Sequence, residues 1–219
     1  MKPRGSVARY RSAASEHLEW CDSVGIRVLG GRWDLEDPIT GLLLAAVVDP
    51  RSASPLLTAL CHLEVQTDLE VEEVWWPSSY VDMIINFRVD GRRHMLALEH
   101  KHLNSPSNAP GYRKVGGGAY WQTESFVREL ERVREAGGGE LLGGPFRADA
   151  QAHLVVLDAR GRTMDEAFKL TVSDEPHRHE LWRVLSYADL ARSLRTRYDA
   201  VNVDALEPIL GQLFASERQ

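Results

Sequence analysis

Cysteine is nearly absent from this chain: 219 residues hold two, Cys21 and Cys61. Neither sits in a metal or redox spacing, so reduced thiols in a cytoplasmic protein are the simplest account. Long apolar runs are missing too. No stretch approaches the roughly 18 apolar residues of a membrane span. Met1 to Arg11 is basic and polar, without the apolar segment of a secretory signal. There is no Gly-x-Ser-x-Gly nucleophile elbow and no phosphate loop ending in Gly-Lys-Ser/Thr. The Gly116-Gly-Gly118 run lacks that lysine and does not directly follow a strand, so it reads as a flexible loop or lid. No stacking-type nucleic-acid motif, internal repeat, low-complexity tract or heptad run is evident. What remains is a chain with 43% hydrophobic residues, enough to bury one sizeable core.

The most informative segment runs from Ser79 to Lys101. Asp90-Gly91 is the strongest short hairpin signal, because a type I′ turn needs positive φ at both central residues. With those two residues at the turn, Val89 faces Arg92, and Asp82 falls opposite Glu99. Side chains alternate along a strand, so Lys101 shares a face with Glu99 while His100 points to the other. A slip of one residue would move Asp82 away, so the patch depends on register.

Two carboxylates on neighbouring strands repel unless a cation neutralises them. Hard oxygen ligands of this kind suit Mg²⁺ or Mn²⁺, which bind through one or two carboxylates plus substrate phosphates. A lysine two residues along can orient a nucleophile or offset developing charge at a phosphate. The plainer account of Glu99 and Lys101 is two solvated charges on a half-exposed hairpin. His94, His100 and His102 form a short histidine-rich stretch, but without closed zinc-ligand spacing to any cysteine.

This arrangement resembles the PD-(D/E)xK nuclease superfamily, including its defence-associated families: an acid on one strand, here Asp82, precedes an acid-x-lysine triplet on the next, here Glu99-His100-Lys101. Val81 replaces the proline of the family's motif, and His100 stands where an apolar residue is frequent. The resemblance implies an α/β fold of the restriction-endonuclease-like type, a mixed central sheet flanked by helices in the order αβββαβ. It implies Mg²⁺ or Mn²⁺ held by Asp82, Glu99, the backbone carbonyl of His100 and a first-helix glutamate, for which Glu36 is the candidate. Glu36 would stand just before a helix capped by Asp37 with Pro38 at its first position, where it could equally complement the helix dipole. Gln122 or Tyr120, early in the next helix, would point back at the site. The implied activity is phosphodiester hydrolysis, with DNA as substrate in a bacterial defence or restriction system. A homodimer would suit cutting of both strands. A catalytically silent or partner-activated module on the same fold, and an RNA-cleaving toxin, are the alternatives.

Residues 1–33 read as an N-terminal extension with a short helix around Ser15 to Trp20, and 34–219 as the nuclease-like domain with a C-terminal helical elaboration. Pro50 to Pro55 should break the first helix and Leu56 to Leu63 form a second. Strands are expected at Glu70 to Trp76, across 152–158 and at Glu180 to Ser186, with helices after Ala119, after Ser186 and over Val203 to Phe214. The net charge is −6, yet Arg88 to Lys114 holds six basic residues against two acids. That local excess is expected to surround the site as a phosphate-contacting groove. A second basic stretch, Arg183 to Arg197, reads as a solvated helix face.

Overall fold

The structure, a computed structural model, describes residues 36–64, 68–75, 81–101, 113–115, 118–120, 122–137, 146–163 and 181–201. The expected N-terminal extension and the helix over Val203 to Phe214 lie outside them.

Helix α1 (Glu36–Val48) begins two residues before Pro38, so Glu36 is its first residue and not a residue preceding it. Its Leu-Leu-Leu-Ala-Ala-Val-Val tail is apolar nearly all round, as a fully buried helix requires, and Leu43, Leu44, Ala46, Val47 and Val48 are buried. Helix α2 (Pro50–Cys61) corrects the expected break. Asp49 caps it, accepting from the Arg51 N–H at 3.0 Å, and Pro50 occupies the first turn, where a missing N–H is harmless. Pro55 is carried inside the helix. The helix stops at His62, in the left-handed conformation at φ 55°, with the Leu63 N–H reaching back to the Thr58 carbonyl at 3.0 Å.

Strands β1 (Leu69–Trp75), β2 (Met83–Val89) and β3 (Arg92–Lys101) form an antiparallel meander. Asp90 and Gly91 have φ of 49° and 75°, as a primed turn needs. The β2–β3 ladder runs from Val89↔Arg92 to Met83↔Leu98, the register read from the sequence. A bulge between Val71 and Glu73 shifts the β1–β2 register.

After β3, the described part of the Gly-rich stretch read as a loop is a small ladder instead, β4 (Arg113–Val115) with β5 (Gly118–Tyr120). Tyr120 therefore belongs to a strand, not to the following helix. That helix, α3, spans Gln122–Glu135. The apolar run Gln151–Asp158 becomes β6, parallel to β3, and β7 (Trp182–Ser186) lies parallel to β6. Helix α4 (Tyr187–Val201) follows directly. Ser186 caps it, accepting from the Asp189 N–H at 3.0 Å and donating to the Asp189 carboxylate at 2.7 Å.

The five-stranded mixed sheet has the order β1-β2-β3-β6-β7. Helices α1, α2 and α4 cover one face and α3 the other. β3 is buried on both sides: Leu96 and Leu98 enter the first core, Met95 and Ala97 the second. This explains why Met95 to Leu98 is continuously apolar.

Candidate active site

The α3-facing side of the sheet ends in a polar cluster. Ile84, Met95, Ala97 and Val156 form its apolar floor. One period further along the strands stand Asp82, Glu99 and Asp158, with Lys101 beside Asp158 in the β3–β6 ladder. Three of the strands here, β3, β6 and β7, are parallel and end together at Lys101, Asp158 and Ser186. In open α/β sheets the carboxyl ends of parallel strands are where ligands bind.

Asp82 lies one residue outside the ladder, where a carboxylate can take over a ladder hydrogen bond. Its Oδ2 accepts from the His100 backbone N–H at 2.7 Å. Glu99 is 3% exposed and Lys101 13%, and Lys101 Nζ stands 2.6 Å from Glu99 Oε1. The acid, the triplet acid and the triplet lysine are thus gathered on one face. His100 faces away, and its ring stacks on Tyr187 with centroids 5.6 Å apart. Its Nε2 is hydrogen-bonded to the Tyr187 hydroxyl, and Nδ1 meets Thr40 Oγ1 at 3.4 Å. His100 is therefore a packed core histidine whose imidazole stays on the far side of the sheet, leaving only its backbone beside the acids. Glu36 opens α1 one turn before Thr40, and Gln122 opens α3.

Asp158 escaped the sequence reading as a site residue, because its run looked only like a buried strand. It is fully buried, and its carboxylate takes the Arg160 and Arg162 backbone N–H groups at 2.9 Å each. The Arg162 guanidinium closes on the same carboxylate at 2.6 and 3.0 Å. The usable signal was the acid at a strand end followed by Arg160-Gly161-Arg162, an anchor beside a turn.

Two of the cations expected to form the basic groove are not at this cluster, while Lys101 is, and the side chains of Arg113 and Lys114 lie outside the described residues. Arg88 and Arg93 lie near the hairpin turn, paired with Glu72 at 2.6 and 3.7 Å, and Arg93 also meets Asp149 at 2.7 Å. Arg93 is six residues from Glu99, about 20 Å along an extended strand. Those cations neutralise acids on neighbouring elements and leave the triplet end.

Among the described residues, no three histidine, cysteine or carboxylate side chains form one metal-binding group. A pair of carboxylates with an adjacent backbone carbonyl is instead a hard-oxygen donor set, one that suits a cation retaining several waters. Compared with known proteins, the chain matches no family model, no curated protein and no solved structure. Among the described residues, no helix is long and apolar enough to cross a membrane.

Proposed function

We propose that this chain is a divalent-metal-dependent nuclease of the PD-(D/E)xK type that hydrolyses phosphodiester bonds in DNA. The observation that carries the reading is the triplet: Glu99 and Lys101 paired at 2.6 Å, with the Asp82 carboxylate held on the intervening His100 N–H. The order helix, three-stranded meander, helix, parallel strand agrees with a restriction-endonuclease-like core. The DNA substrate and a setting in bacterial defence rest on the resemblance of the motif alone.

Asp82 and Glu99 would hold Mg²⁺ or Mn²⁺ with the His100 carbonyl, and Glu36 and Gln122 are the further candidates. The metal supplies Lewis acidity at the phosphorus. Lys101, which stands 2.6 Å from Glu99, would orient the attacking water and offset the charge that builds on the phosphoryl oxygens. The O–P bond to water forms as the bond to the leaving sugar oxygen breaks, the attacking water's proton passes to solvent, and the leaving oxygen takes a proton from solvent to become a hydroxyl. The close Lys101–Glu99 pair also supports a second reading, a site kept closed until an activating partner or substrate displaces the lysine.

The test is plasmid cleavage by the purified protein with Mg²⁺, with Mn²⁺ and with chelator, beside Asp82→Asn and Lys101→Ala. Metal-dependent cutting that falls at least 100-fold in both variants is expected, since such groups contribute roughly 10²–10⁴-fold. Equal cutting by wild type and both variants overturns the assignment.

A further inference from the structure

With Arg88 and Arg93 engaged near the hairpin turn, a polyanionic substrate meets a cluster containing Asp82, Glu99 and Asp158 against Lys101 and Arg162. A further cation among the described residues would serve where the duplex would lie. The turn after β6 supplies one. The Ala159 N–H donates to the Lys101 carbonyl at 2.9 Å, so the turn leaves the sheet from the triplet itself. The buried Asp158 carboxylate then gathers the Arg160 and Arg162 N–H groups and the Arg162 guanidinium. Gly161 has φ 64°, and a Cβ there would stand 3.0 Å from Ser186 Cβ, so the turn is folded tightly onto the end of β7. Arg160 crowns this turn. It is exposed, and its guanidinium makes no ion pair among the described residues.

We propose that Arg160, presented by the Asp158-anchored turn, contacts a backbone phosphate of duplex DNA beside the cleaved bond. This rests on the nuclease reading of the same site. A flexible side chain on a rigid base suits such a contact, because the base fixes where the charge is and the arginine fork grips phosphate oxygens. The contact adds affinity uniformly across sequences and contributes to counterion release.

Binding of a fluorescent DNA duplex to the full chain in chelator, across salt concentrations, tests the contact. Arg160→Ala should weaken binding roughly fivefold and make the slope of log K against log salt shallower by about 1. Arg160→Lys should keep most of the affinity. Arg92→Ala, at the far end of β3 and also exposed, should change neither quantity. Because Arg160 is exposed, its variants should melt with the wild type, and a common melting midpoint is part of the expected result. Unchanged affinity and slope for Arg160→Ala, in a protein whose wild type cuts plasmid with metal, overturns this inference alone. A loss of equal size in Arg92→Ala overturns the assignment to this turn. Wild type that neither binds duplex nor cuts it overturns the nuclease reading and this contact together.

Discussion

Lys101 stands 2.6 Å from a Glu99 carboxylate that is 3% exposed, so the residue proposed for chemistry also has a structural role. Removing one partner of a buried pair leaves the other charge with its desolvation cost, typically about 3–5 kcal/mol. Lys101 keeps some contact with solvent, which lowers the figure. Lys101→Ala should therefore destabilise the fold by about 2 kcal/mol besides abolishing cleavage. Glu99→Gln/Lys101→Ala, which removes both charges, should recover most of that stability and none of the activity. Urea midpoints beside cleavage rates check this, and a double variant no more stable than Lys101→Ala counts against it. Loss of activity in Lys101→Ala alone is thus not clean evidence of a catalytic role. Asp82→Asn, at a half-buried position outside the ladder, is the cleaner probe.

At the scale of elements, backbone demands of single glycines separate two tight turns. Gly91 has φ 75°, and a methyl added there would meet nothing within 4 Å, so Gly91→Ala carries only the left-handed backbone penalty, about 1 kcal/mol. Gly161→Ala adds the approach to Ser186 and should cost more, about 2 kcal/mol, while also displacing the Arg160 turn. Equal midpoint shifts for the two variants would mean the contact with Ser186 relaxes freely. The hairpin was legible in sequence because its turn chemistry and its period of two agree, and together they specify every pair in the ladder. The buried strand at 151–158 and the helix after Ser186 were legible for similar local reasons. Pro55 misled because proline reads as a helix breaker, whereas the burial of Leu56, Leu57 and Leu60 holds α2 together across it. Gly118 misled because glycine composition says nothing of the cross-strand partners that Arg113 to Val115 provide for Gly118 to Tyr120. Two cations of the basic window, Arg88 and Arg93, misled for a different reason. They find their acids 16 and 56 residues away, beyond any linear count of charge.

The same long-range pairing governs how the whole molecule should respond to acid. Phe87, His94 and His153 stack across β2, β3 and β6, with ring centroids 5.3 Å apart at each step. His94 Nδ1 and His153 Nε2 are 3.0 Å apart, close enough that one ring donates to the other, which must be neutral to accept. Burial holds both pKa values below the usual 6.5, with Arg92 adding to the effect on His94 and His94 to that on His153, whose value falls to about 4. Unfolding frees both rings to bind protons near 6.5. Between about pH 6.5 and 4 the unfolded chain therefore binds more protons than the folded one, and stability must fall as pH falls. Asp149, whose carboxyl Arg93 holds below the usual range, contributes its own loss only at lower pH, so the upper window belongs to the histidines. Urea midpoints at about pH 7 and about pH 5 should show the drop. His153→Phe keeps an aromatic ring in the stack and removes the more strongly shifted group, so it should flatten most of that drop. A midpoint in His153→Phe that falls as steeply as in wild type would place the acid sensitivity elsewhere in the chain.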